Sequence, residues 1–319
     1  MASPGQNSDI RLLESELDSS DSGRRQAALR ALVGHLRQGL VAPAPAREAV
    51  NLHYHTFFSY NVEGYSPSRI AWLARREALA VAGIVDFDVL DGLEEFLGAG
   101  RALALRTCVG IETRVFLPEY ADRVLNSPGE PGICYHVGMG FTQVALGDGA
   151  AGFLAGLRAT SAQRNRQVVE RVNPHLAPAE LDYERDVLAL APSGNATERH
   201  ICLAYARRAQ SVFPDEHSLT GFWSGKLETD AEALDLPDGI NLQQAIRAKL
   251  MKRDGPGYVQ PDTGSFPTMQ EMNRFIVEAG GIPAYAWLDG MPEGERDAEK
   301  LLDTVVGLGA EALNIIPDR

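Results

Sequence analysis

The chain has 319 residues, of which 45% are hydrophobic, 23% charged and 7% aromatic; this composition excludes a disordered, collagen-like or disulfide-stapled protein. Forty-three acidic residues against thirty basic ones leave a formal charge of −13, so no global attraction draws the chain to a phosphate backbone, and long nucleic acid is not an expected partner. Cys108, Cys134 and Cys202 show no C-x-x-C spacing, the first nine residues are polar, and no apolar window reaches about 18 residues; together these predict reduced thiols, no membrane span and a cytoplasmic setting.

Residues 9–39 predict one or two amphipathic helices, because Leu12, Leu13, Leu17, Ala28, Leu29, Leu32, Val33 and Leu36 recur at helical spacing before Gly39. Ala42-Pro43-Ala44-Pro45 cannot continue a helix and reads as a stiff linker. Residues 1–45 are therefore expected to be an N-terminal helical arm, an appendage rather than a catalytic element. From residue 50 short apolar runs alternate with helices. Strands are expected at Asn51–Thr56, Val81–Asp86, Leu103–Phe116 and Ile133–Met139, with a helix opened by Ser66 and Pro67 and a short one at Leu93–Leu97. Residues 150–261 lose the strand signal and predict a helical insertion, with helices at 151–171, 179–190, 197–212 and 240–252. Alternation resumes afterwards: Thr268 and Glu271 form a capping box, Ile282–Trp287 and Ala312–Ile316 read as strands, and Ala298–Gly307 as a helix. Such alternation predicts a mainly parallel sheet or barrel covered by helices, with 46–149 and 262–319 as its two parts. It ends on a strand with no covering helix, so the barrel is expected to be open at its C-terminal end, or the chain to be a fragment.

The strand at Asn51–Thr56 carries His53 and His55. Side chains alternate along a strand, so both point to one face and are close enough to share a metal ion, although a polar barrel interior would hold them equally well. Asp86 and Asp88 end the next strand, Glu112 lies in the third and His136 in the fourth, and parallel barrels collect their chemistry at such strand ends. The alternative roles are ordinary ones: Asp86 or Asp88 capping a helix, and Glu112 pairing with Arg114 or Arg101.

These stretches resemble the polymerase and histidinol phosphatase (PHP) domain. That family opens D-L-H-x-H-T-x-x-S-D-G, continues with S-P, a strand ending T-D-H-D, and then G-I-E. Here the text is Asn51-Leu52-His53-Tyr54-His55-Thr56, Ser59, Ser66-Pro67, Val85-Asp86-Phe87-Asp88 and Gly110-Ile111-Glu112. Tyr135-His136-Val137-Gly138 is similar to the family's I-H-x-x-G strand. Thr197 to Ile201 resembles a helix opening in the inserted domain of the nucleoside-phosphate phosphatase branch. Gly280 to Ala286 resembles the strand ending A-H-P. The resemblance implies a distorted (β/α)7 TIM-like barrel that binds divalent metals and cleaves phosphate esters.

Carried over by position, His53, His55, Glu112 and His136 are the implied metal ligands, and Asp86 the carboxylate that would orient the attacking water. Three positions that hold ligands in the family are aromatic here: Tyr60, Phe87 and Trp287. The family's last ligand pair, D-x-H, has no counterpart, since Asp318 is followed by no histidine. Two readings stay open. In one, a reduced site holds one divalent ion (manganese, zinc or iron) and hydrolyses a small phosphorylated metabolite or nucleotide, with Arg199 at the insertion's edge meeting a phosphate. In the other, the site holds no metal, and Tyr60, Phe87 and Trp287 make the barrel mouth a pocket for a ligand or a protein.

Overall fold

The computed structural model describes residues 4–316 apart from 43, 46, 263 and 289; Pro43 of the expected linker and Asp318 lie outside the described residues. In chain order the helices are α1 (Pro4–Glu16), α2 (Ser22–Arg37), α3 (Pro67–Arg76), α4 (Leu93–Leu103), α5 (Asp148–Val172), α6 (Glu198–Val212), α7 (Glu216–Leu227), α8 (Ile240–Ile246), α9 (Met269–Glu278) and α10 (Ala298–Gly307). Six strands form one sheet in the order of the chain: β1 (Val50–Tyr54), β2 (Val81–Phe87), β3 (Arg106–Phe116), β4 (Ile133–Met139), β5 (Ile282–Trp287) and β6 (Ala312–Ile315). The described residues thus hold six strands where the (β/α)7 expectation has seven. None of the described helices is long and apolar enough to cross a membrane.

β1, β2 and β3 run parallel, as do β5 and β6, whereas β4 is antiparallel to both neighbours. The reason lies in the connection. Between β3 and β4 there is only a short 3-10 turn at Pro118–Tyr120 and no crossover helix, so the chain returns directly. Glycine on the inner face permits a tight curl: a Cβ at Gly110 would come within 2.5 Å of the Gly138 carbonyl oxygen and 2.8 Å of Val85 Cγ1. The sheet curls into a half-barrel, which Val85, Val137, Ala284 and Ala286 fill from inside.

The outer face carries the larger core, where Ile84, Ile111 and Tyr285 meet Trp72 of α3, Phe96 of α4 and Phe275 of α9. Local chemistry places these helices. The Ser66 hydroxyl accepts from the Arg69 amide with Pro67 in the first turn of α3, and Thr268 and Glu271 close the expected capping box on α9. Helices α1 and α2 join the same core through Ile10, Leu29 and Leu32. The buried Arg25 guanidinium of α2 reaches Glu95 of α4 at 2.6 Å. This segment is therefore packed as part of the barrel's covering layer.

Helix α5 is shared between two cores, with Ala150 and Leu157 in that of the barrel and Val168, Val169 and Val172 in that of the insertion. Two expected insertion helices differ. Residues 179–190 form only a π-helical turn at Tyr183–Val187 and a 3-10 turn at Leu188–Leu190, and α8 gives way to a π-helical turn at Arg247–Met251. Conversely α7 forms where no helix is expected. Gly221 and Gly225 weaken its intrinsic propensity, but burial of Leu219, Trp223 and Leu227 stabilises it through tertiary packing.

Candidate metal centre

His53 and His55 project from the end of β1 into the curl, and Glu112 projects from β3 onto the same side. Their donor atoms converge. Glu112 Oε2 lies 3.1 Å from His55 Nε2 and 3.5 Å from His53 Nε2, and the three residues form the one group of this kind found among the described residues. Glu112 is buried, and its Oε2 makes no hydrogen bond of ordinary geometry, although two imidazole nitrogens face it. A buried carboxylate oxygen without a well-aligned donor is costly unless something else satisfies it. Two imidazoles and a carboxylate are a fitting donor set for a borderline divalent ion such as zinc, manganese or iron.

The electrostatics follow from that convergence. Burial alone would raise the Glu112 carboxyl, but the contacts with His53 and His55 outweigh it and bring it down to about 2. Burial alone would lower His55, but the Glu112 carboxylate, with the Asp86 charge behind it, holds the imidazole above its usual value.

Asp86 is not a free base. Its Oδ1 accepts from the Thr56 amide at 2.7 Å and the Ser59 hydroxyl at 2.8 Å, and its Oδ2 accepts from the Thr56 hydroxyl at 2.7 Å. Most of its lone-pair capacity is thereby used, and burial raises its pKa. What it does is fix the turn after β1, so that Ser59 Oγ sits 3.4 Å from His55 Nδ1.

His136 is not brought to the other three. It pairs in register with Thr113 and Tyr285, one residue out of step with Glu112, and so faces the outer side of the sheet. There it is fully buried and bonded to Asn273 of α9, and burial lowers its pKa to about 4. Trp287 also lies on the outer side, with Tyr285 at 6.5 Å between ring centroids, and does not line the mouth.

Phe87 and Tyr60 do lie at the mouth. The Phe87 ring stacks on His55 at 4.6 Å and 17°. The Tyr60 hydroxyl donates to Gln243 Oε1 at 2.6 Å, and its ring stands edge-on to His200 at 5.1 Å. Both border a cavity of about 250 Å³ between barrel and insertion, lined also by His55, Asp88, Arg114, Tyr135, Arg164, Arg199 and Arg247.

Several of these residues escape the motif-based reading. Arg114 stands two residues beyond Glu112 on one strand and hence on the same face, a spacing that is readable in advance. It anchors a buried network in which Arg114 Nη1 meets Glu130 at 2.8 Å and Glu198 at 3.0 Å. Lys252 meets the same two carboxylates at 2.9 and 3.0 Å, and Arg247 meets Glu198 at 2.8 Å. Burial opposes ionisation of Glu130 and Glu198, but these cations hold both carboxyls below the usual range. Arg164 differs. It forms no ion pair within 4.0 Å among the described residues, and its Nε is buried without a partner. Its other nitrogens reach only the Ser265 carbonyl and the Ser161 hydroxyl, and burial together with the nearby Arg114 charge lowers its pKa to about 10. Nothing in the local sequence of α5 separates Arg164 from Arg158 or Arg166, which pair on the surface with Asp91 and Glu184.

No protein-family model matches the chain, and no curated protein matches it. Solved structures do. An amidohydrolase from Chromobacterium violaceum, determined with bound sulfate and no metal, aligns with a TM-score of 0.56 at 18% identity, covering 83% of this chain and 75% of that one. A candidate metal-dependent phosphoesterase from Bifidobacterium adolescentis aligns with a TM-score of 0.54, also at 18% identity, covering 85% of this chain and 78% of that one. The likeness shows the fold: a mixed α/β, parallel-dominated half-barrel of TIM-like type, shared with proteins described as hydrolases.

Proposed function

We propose that the protein is a metal-dependent phosphoesterase of PHP type acting on a small phosphorylated metabolite or nucleotide. The observation that carries this reading is the convergence of His53 Nε2, His55 Nε2 and Glu112 Oε2 beside a cavity lined by Arg164, a half-buried guanidinium whose buried Nε has no hydrogen-bond partner. A divalent ion held by the three residues supplies Lewis acidity toward a phosphoryl oxygen and toward water. The chain's own groups do the rest. Ser59, backed by Asp86, steadies His55; Phe87 covers one face of that imidazole and limits solvent access; Arg164 and Arg199 offer positive charge to the substrate's anionic group. Guanidinium groups suit phosphate oxygens better than a neutral amide, which favours phosphate ester over amide hydrolysis at this site. It also favours an enzyme over a purely aromatic binding pocket, because Trp287 faces away from the mouth.

The test is elemental analysis of protein purified without chelator, followed by hydrolysis assays with phosphomonoesters, nucleotides and amides. Bound manganese, zinc or iron together with phosphate release supports the reading. A folded protein that takes up no added metal overturns it.

A further inference from the structure

Arg164 keeps its charge in a neighbourhood where other charges are neutralised. Glu130 and Glu198 are held by Arg114, Arg247 and Lys252, and no carboxylate reaches Arg164 within 4.0 Å among the described residues. Neutral groups hold the guanidinium instead. Arg164 Nη1 donates to the Ser265 carbonyl at 2.7 Å, and its Cζ stands over the Phe266 ring, 4.3 Å from the centroid. A carbonyl and a π-face attract a cation without cancelling its formal charge, whereas a carboxylate would cancel it.

The ring can serve as a support because the chain fixes it independently of Arg164. Phe266 is 5% exposed. The Ser265 and Phe266 amides donate to the Asp262 carbonyl at 3.1 and 3.2 Å, and the Ser265 amide also reaches Asp262 Oδ1 at 2.9 Å. One residue further on, the Pro267 carbonyl accepts from the Phe116 amide at 2.9 Å, which ties the turn to the end of β3. Arg114 Cζ lies over the same ring at 4.8 Å, but its two carboxylates at 2.8 and 3.0 Å hold it without help from the ring. Arg164 has no such alternative. Besides Ser265 its guanidinium reaches only the Ser161 hydroxyl, at 3.3 Å on its own helix.

We infer that Phe266 is a positioning residue: its ring holds the Arg164 guanidinium at the cavity beside the candidate metal centre with the positive charge unneutralised, so that an anionic group entering there meets a preformed partner. The inference rests on the proposed role of Arg164 toward the substrate's anionic group. Calorimetric titration with inorganic phosphate, on proteins of equal metal content, tests it. Phe266→Leu is expected to weaken phosphate binding about 3–10-fold, the range of a lost cation–π contact. In a chain that already carries Arg164→Met, Phe266→Leu should cause no further loss, because the ring acts through the guanidinium. A residue that merely filled space would weaken binding equally in both backgrounds. Phe266→Met also removes the ring while keeping apolar bulk, and takes the place of Phe266→Leu if that variant does not fold.

Equal affinity in the wild type and Phe266→Leu overturns the inference, as does the same loss in both backgrounds. Either result leaves the role of Arg164 standing if Arg164→Met alone still binds phosphate more weakly than the wild type. Phosphate binding that Arg164→Met does not change overturns that role, and this inference with it.

Discussion

His53 Nδ1 and Asn314 Oδ1 lie 3.1 Å apart although they stand on the first and last strands of the sheet, which share no ladder. In a flat sheet of this order, five intervals of about 4.8 Å would hold those strands roughly 24 Å apart. Their contact therefore measures the curl. It also explains why the candidate metal centre is assembled across the sheet: two candidate ligands come from an edge strand, one from the middle, and the contact to His53 Nδ1 from the far edge.

Ligand removal is expected to be selective. His55→Ala or Glu112→Gln should reduce bound divalent metal and phosphate-ester hydrolysis by about 100-fold or more, because either change leaves two donors where three converged. His136→Gln should leave metal content unchanged, since His136 faces Asn273 on the other side of the sheet. Elemental analysis of the three purified variants checks this, and loss of metal in His136→Gln would count against the outward placement.

Arg164→Met separates binding from stability. The guanidinium has no ion-pair partner within 4.0 Å among the described residues, but it donates to the Ser265 carbonyl and lies over the Phe266 ring, so its removal is expected to cost only about 1–2 kcal/mol of stability. Binding of inorganic phosphate in the adjoining cavity should weaken about tenfold, the effect of losing a charge-assisted hydrogen bond of roughly 1.5 kcal/mol. Calorimetric titration with phosphate and a thermal melt test the two halves independently.

The buried charge network predicts the opposite balance for Glu198. Glu198→Gln leaves Arg114, Arg247 and Lys252 with Glu130 as the remaining carboxylate among these partners, and breaking a buried pair in this way costs about 3–5 kcal/mol. Because the network joins β3 and the segment before β4 to α6 and the turn after α8, hydrogen exchange should rise first in the insertion. A denaturant midpoint equal to that of the wild type would refute the structural role of the network.

Two buried histidines predict the acid limb of stability. His136 and His200 are each lowered from 6.5 to about 4 by burial. A depressed folded-state pKa contributes stability that is present above the unfolded value near 6.5 and lost as pH falls toward about 4, by up to roughly 3 kcal/mol per group. The melting temperature should therefore drop between pH 7 and pH 4. In His136→Gln the slope over that window should be shallower, and an unchanged slope would show that His136 is not buried as a neutral imidazole.

Much of the site was legible because strands alternate with a period of two. His53 and His55 had to share a face, and Arg114 had to share one with Glu112. The capping chemistry of Ser66 with Pro67 and of Thr268 with Glu271 is local, and the structure carries it as expected. His136 was misplaced for an equally physical reason. A motif identifies the strand but not its register, and a shift of one residue moves a side chain through the sheet. Trp287 was misplaced on the same ground. Asp86 is at a strand end, as its motif implies, but only the fold reveals that Thr56 and Ser59 already occupy its oxygens.

The amino-acid order by itself determined the alternation of helix and strand, the H-x-H pair on one face and the strand-free stretch between β4 and β5, all of which depend on residues within a few positions of one another. Tertiary structure alone decided that β4 runs against its neighbours, that Arg164 is left without a carboxylate partner while Arg158 and Arg166 each have one, and that Asn314 reaches His53 across 261 residues of chain. Those outcomes depend on how far the sheet curls and which helix packs over it, and both are properties of side chains meeting across the core rather than of any local spacing.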